Sequence, residues 1–301
     1  MSGLVYFKEV EKEFNERMAG RAVAHYTEVR KNNGVILHGI TVRCEESNVA
    51  PTIYLDGYYD EAEDTGIEVD DVVRDVIRIY DKHRVKRKLN LEYINDFEKV
   101  RDNIEMKLIH TRRNIEILDE TPNVPFLDLS IVFFLRVEEP GMGLGTILIK
   151  KEMMECWGVN EEELLKIATH NTKENNPISF VHICTVLKSL TSNEMMRRFW
   201  DDMTEESMPL YVATNADKMY GAAAMLYSED IGEFANQIDE DLYILPSSVH
   251  ELIFVPARCT DPLTLKEMVV SVNTTQLGED IILSDSVYYY CRENKRVSRV
   301  A

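Results

Sequence analysis

The spacing of apolar residues changes period several times along this chain, and each change predicts an element. Residues 9–30 are polar and rich in helix formers, with Val10, Phe14 and Met18 four apart, a stripe that predicts a helix docked on a sheet. Residues 34–42 (GVILHGITV) and 51–55 (PTIYL) are apolar and β-branched, which predicts a strand pair around the turn-rich EESN segment. Between 68 and 82, Val69, Val72, Val73, Val76, Ile77 and Tyr80 fall on one helical face, a core stripe. Residues 93–101 predict a second helix. Ile104, Met106 and Leu108 then alternate with Glu105 and Lys107, a period nearer two that predicts a strand.

Beyond residue 126 the pattern is more strongly β. Residues 129–137 (LSIVFFLRV) and 146–150 (TILIK) flank EEPGMGLG, whose proline and glycines suit a hairpin loop. Asn160 can cap a helix to about residue 171 by accepting from the backbone at Glu163, with Glu163 reaching back. Residues 192–207, rich in Met, Arg, Asp and Glu, read as a surface excursion between strands. A strand at 210–214, a small-residue segment at 221–227 and a helix at 229–238 with Ser228 as cap follow. Further extended runs lie at 242–245 and 252–255, the latter closed by Pro256. Thr264 with Glu267 reads as a capping box, opening a helix to about residue 276, and 287–291 (VYYYC) as a last strand whose tyrosines alternate between core and surface. The expected fold class is α+β, with mainly antiparallel sheet and packed helices, organised as an N-terminal region 1–121 and a C-terminal region 122–301 packed as one continuous unit.

Composition narrows the function. The 301 residues carry a net charge of −19, so a polyanion meets repulsion over most of the surface, and direct nucleic-acid binding is not expected. Five cysteines, Cys44, Cys156, Cys184, Cys259 and Cys291, are scattered without a C-x-x-C pair and read as reduced core thiols. The opening MSGLVYFKEVEKEFNERM has acidic residues where a secretory signal needs an apolar run, and the longest apolar stretch, 129–135, is short for a bilayer. The expectation is a cytoplasmic protein without membrane attachment.

Several blocks, NNGVILHGITV, NVAPTIYLDGYY, PFLDLSIVFF, DLYILPSSVHELIFVP and SDSVYYYCRENKRV, resemble the family known as domain of unknown function 5688 over nearly the whole chain. A fainter similarity, in the order of elements after Ile104, is to domain of unknown function 1444. The fainter similarity supports the strand at Ile104 and a continuous α+β unit, and neither resemblance brings an activity or a catalytic residue.

Signatures of large enzyme classes are missing from the sequence: there is no Walker lysine, no G-x-S-x-G elbow and no H-E-x-x-H. GMGLG runs into a strand pattern, TILI, instead of opening the helix that a phosphate loop requires. His170, His182 and Glu174 lack fixed ligand spacing, and the acidic run from Asp60 to Asp64 lacks the glycine of a calcium loop, so no metal or cofactor is expected. The remaining candidate chemistry is LPSSVHE. If extended, it puts Ser248 and His250 on one face, with Ser247 and Glu251 adjacent, a possible nucleophile and base. The plainer reading is a proline-marked turn whose serines satisfy backbone groups. Three functions follow: a non-catalytic protein acting through protein contacts, a hydrolase using Ser247 or Ser248 with His250, or an acidic mimic directed at a nucleic-acid-binding protein.

Overall fold

Helix α1 (Gly3–Arg17) begins the computed structural model, which describes residues 3–85, 87–88, 92–139, 143–203 and 208–301. The chain divides into two units, one comprising residues 1–96 and 137–145 and the other 97–136 and 146–301.

In the first unit, strands β1 (Val23–Arg30), β2 (Ile36–Arg43) and β3 (Thr52–Tyr54) form an antiparallel sheet in that order. Helices α2 (Asp56–Thr65) and α3 (Val69–His83) follow. The apolar stripes predicted on α1 and α3 meet in the core: Val10, Phe14 and Met18 pack with Ile40, Val42, Val72, Val76 and Tyr80. Each such side chain contributes about 1.5–3 kcal/mol on leaving water. The helix expected over 9–30 is shorter than its sequence suggests, because Gly20 takes a φ of +77° and residues 23–30 are a strand. Asn15 secures the change of direction, accepting from the Ala24 N–H at 2.7 Å and donating to its carbonyl at 3.0 Å. The strand pair around EESN is present, with Gly39 opposite Tyr54.

Broken helical turns over residues 92–103, including α4 (Phe97–Val100) at the start of the second unit, stand where a continuous helix over 93–101 was expected. Next come β4 (Ile104–His110), α5 (Ile115–Glu120), β5 (Asn123–Phe126), β6 (Leu129–Glu139) and β7 (Gly143–Leu148), with β6 between β4 and β5 and β7 also paired to β6; residues 137–139 of β6 and 143–145 of β7 are counted with the first unit. Residues 140–142 of the expected loop lie outside the described residues. Helices α6 (Lys151–Trp157) and α7 (Glu161–Asn175) follow. Asn160 caps α7 through Glu163 N at 3.0 Å, and two buried polar residues of α7 tie it to β4. Asn171 donates to the carbonyls of Arg101 (2.7 Å) and Ile104 (2.9 Å), and Thr172 Oγ1 accepts from Met106 N (3.0 Å).

The larger sheet is antiparallel throughout and runs β13-β12-β10-β11-β9-β8. Its strands are β8 (Ile178–His182), β9 (Tyr211–Asn215), β10 (Leu242–Pro246), β11 (Leu252–Pro256), β12 (Tyr288–Cys291) and β13 (Arg296–Arg299). Helices α8 (Ile183–Leu190) and α9 (Glu194–Asp202) interrupt β8 and β9, α10 (Ser228–Ile238) precedes β10, and α11 (Pro262–Gln276) packs Leu265 and Val269 on Leu245, Val255 and Val287.

Four local expectations are corrected. Ser228 lies inside α10, and its hydroxyl does not cap the helix; the cap position is Tyr227. Asp261, rather than Thr264, caps α11, its Oδ1 accepting from Leu263 N and Thr264 N at 3.0 Å each, with Pro262 at the first turn where a missing N–H costs nothing. Residues 287–291 are not the last strand, since β13 pairs with β12. Of the cysteines, Cys184 alone is buried, while Cys156 and Cys259 are exposed.

Candidate functional site

Residues Ser247–Glu251 form the connection between β10 and β11, and the segment bends instead of extending. Ser248 and His250 are therefore not brought together side chain to side chain. Ser248 Oγ accepts the backbone N–H of His250 at 3.0 Å, Ser248 N donates to the Glu251 carbonyl at 3.1 Å, and Ser247 Oγ donates to Glu251 Oε1 at 3.2 Å. These are the short-range bonds of a turn, one backbone to backbone, one side chain to backbone and one between side chains. His250 faces the other way. Its Nδ1 accepts the Tyr220 N–H at 3.2 Å, its ring stacks on Tyr220 at 5.7 Å, and Lys107 sits 4.2 Å above the same tyrosine ring. Burial pulls the His250 pKa below its ordinary value, so the ring is neutral near pH 7, and an accepting Nδ1 leaves the proton on Nε2. Tyr220 and Lys218 both take positive φ (56° and 53°), the cost of wrapping this loop against the hairpin.

Two arrangements escaped the sequence. The first is the α8–α9 excursion. On α9, Met195, Met196, Phe199 and Trp200 lie along one arc, and Glu194, Arg197, Arg198 and Asp201 along the other. An ordinary surface helix turns its apolar arc inward. Here two residues of the polar arc reach α8, Arg197 through Nε to the Lys188 carbonyl (3.4 Å) and Asp201 through Lys188 (2.5 Å), while Glu194 and Arg198 pair with each other in solvent. Most of the apolar arc is nonetheless exposed, Met195 at 80%, Phe199 at 50% and Met196 at 41% beside Leu190 at 73%, with Trp200 half-buried. The surface excursion expected over 192–207 was legible from composition, its residues 204–207 lying outside the described residues; the exposed apolar arc on α9 was not.

The second is a knot at Asp128, in the tight turn between β5 and β6. Its carboxylate accepts from Ser284 Oγ, Ser286 Oγ and Tyr288 Oη, each at 2.9 Å, and these bonds hold its pKa below the usual carboxylate value although burial opposes them. The partners are more than 150 residues away in sequence, so no local signal marks the knot. Among the described residues, no group of three His, Cys, Asp or Glu side chains is arranged to hold a metal ion, and no helix is long and apolar enough to cross a membrane.

Open antiparallel sheets with helices packed on them define an α+β protein. The family model described as "Family of unknown function (DUF5688)" matches residues 5–292, and the chain belongs to that family. No curated protein and no solved structure matches it.

Proposed function

We propose that this chain acts by binding a basic protein partner, with α9 as the docking helix, and not by catalysis. The exposed apolar side chains of α9 carry the reading, since Met195, Met196 and Phe199 lie together on one arc and are left for another surface. Methionine suits such a face because its unbranched side chain repacks against varied shapes. The net charge of −19 selects the partner's sign, favouring a protein with a basic rim and an apolar groove. The committed hydrogen bonds of Ser247, Ser248 and His250 support binding over hydrolysis. Five free thiols, two of them exposed, suit the reducing conditions of the cytoplasm. A partner whose basic surface otherwise holds nucleic acid is the narrower case, recognised by duplex DNA competing for it.

The test compares affinity capture by the full chain and by Phe199→Asp, at low and at raised salt, followed by reconstitution of the complex from purified components. A basic protein retained by the wild type, lost with Phe199→Asp and lost with salt, supports the reading. Equal capture by the variant overturns it, as does wild-type self-association that Phe199→Asp abolishes, or vesicle binding with the same dependence. A fluorophosphonate probe that labels Ser247 or Ser248, and fails to in His250→Ala, would restore the hydrolase.

A further inference from the structure

A cavity of about 720 Å³ opens beside the Asp128 knot, within the second unit. That is the size of pocket that takes a small organic ligand. Its lining includes His110, Arg112, Leu127, Asp128, Asp285 and Arg299, with charges of both signs, so the question is which of them are still available.

Both carboxylates are committed. Asp128 receives three hydroxyl protons and its own backbone N–H, which fills the acceptor sites of a carboxylate. Asp285 receives Arg113 Nη2 on one oxygen at 2.5 Å and Asn273 Nδ2 on the other at 2.8 Å, so its charge is matched by an arginine. The cations differ. The guanidiniums of Arg112 and Arg299 have no hydrogen-bond or ion-pair partner among the described residues. His110 adds a donor, because its Nδ1 accepts the Arg113 N–H at 3.3 Å while burial lowers its pKa, leaving a neutral ring with the proton on Nε2. The uncommitted polar groups are thus two guanidiniums and one N–H, all donors, in a chain whose overall charge is strongly negative.

An apolar wall completes the cavity. Leu127 holds φ at +57° with its side chain 46% exposed, a conformation in which leucine is strained and glycine or asparagine is usual. The position costs about 1–3 kcal/mol and puts an apolar side chain beside Pro125 at the rim.

We infer that this cavity binds a small molecule bearing a phosphate monoester, whose dianion is held by Arg112, Arg299 and His110 Nε2 and whose organic body rests on Leu127 and Pro125. Two guanidinium charges match a dianion better than a carboxylate, and their planar forks fit the oxygens of a tetrahedral phosphate. The site is separate from α9 and does not depend on the docking role proposed above.

The test is isothermal titration calorimetry of the full chain with phenyl phosphate, inorganic phosphate and benzoate. The expected order is phenyl phosphate tightest, with inorganic phosphate weaker for want of the apolar contact and benzoate weakest. Arg112→Ala and Arg299→Ala, exposed positions whose folding is checked by circular dichroism, should each weaken phenyl phosphate about tenfold. Leu127→Gly should weaken phenyl phosphate and leave inorganic phosphate unchanged. Arg258→Ala, a surface arginine paired with Glu240 elsewhere, should change nothing. No saturable heat with phenyl phosphate up to about 10 mM, binding unaffected by both arginine variants, or benzoate binding as tightly as phenyl phosphate would each overturn the assignment.

Discussion

Removing the carboxylate at residue 128 tests the packing logic of the second unit directly. In Asp128→Ala, three hydroxyls lose their acceptor. Ser286 reaches solvent and finds water, but Ser284 is 1% and Tyr288 0% exposed, so neither can. An unsatisfied buried donor costs about 1–3 kcal/mol, and two of them give about 2–6 kcal/mol, of which relief from desolvating a half-buried carboxylate returns a part; the expected loss is about 3 kcal/mol. Tyr288→Phe removes one donor while Asp128 keeps its other bonds, so it should cost about 1 kcal/mol. Because these residues share one network, Asp128→Ala should cost about 1–2 kcal/mol less in the Tyr288→Phe background than in the wild type. Urea unfolding followed by the fluorescence of Trp157 and Trp200, both in the second unit, reads these differences. The pH dependence has a defined sign. The Asp128 pKa is lowered in the folded chain, so its stabilisation is present above the ordinary value of 3.8 and is lost as pH falls through the folded value. The gap between wild type and variant should therefore be full at neutral pH and close in strong acid. Additive losses in the double variant, or Asp128→Ala within about 0.5 kcal/mol of wild type at neutral pH, would refute the network.

Other perturbations probe separate parts of the chain. Gly221→Ala would put a Cβ 2.5 Å from the His250 carbonyl oxygen and 3.0 Å from Thr214 Oγ1, so it should destabilise by about 1–3 kcal/mol and shift the His250 ring resonances, readable by thermal melting and NMR. His110 and His250 both have pKa values lowered by burial, hence stability that is full above about 6.5 and falls as pH drops below it. Urea midpoints between neutral pH and mild acid should show this fall in the wild type and less of it in His250→Gln. A thiol reagent should modify Cys156 and Cys259 rapidly, Cys44 and Cys291 more slowly, and Cys184 only with unfolding; rapid reaction of Cys184 in the folded chain would contradict its burial.

What was legible in the sequence was whatever one element settles for itself. The stripe on α3 predicts its own burial, and Val72, Val73, Val76 and Tyr80 are indeed buried. Asn160 and Glu163 announce the start of α7 because a cap is a three-residue event. Strand β1 was hidden because only Ala24 of its eight residues is buried, so the alternation that marks a half-buried strand barely registers. Helix α6 was hidden for a similar reason, having no buried residue at all. The placement of Ser248 and His250 was illegible for a different reason. Reading Ser248 and His250 as partners requires an extended segment, but the pairing of Leu242 with Pro256 through Pro246 with Leu252 fixes the register and leaves five residues that must turn. Once they turn, the serines are drawn to backbone N–H and carboxylate groups within four residues, and the histidine is drawn to Tyr220. Helix α9 and the Asp128 cavity lie beyond any such local rule. An amphipathic pattern states that a helix has two faces but not which one its neighbour takes, and the availability of Arg112 and Arg299 depends on distant serines, a tyrosine and an asparagine having already claimed the carboxylates. Both proposed sites are therefore built from what the fold leaves uncommitted, and that remainder exists only after every closer demand has been met.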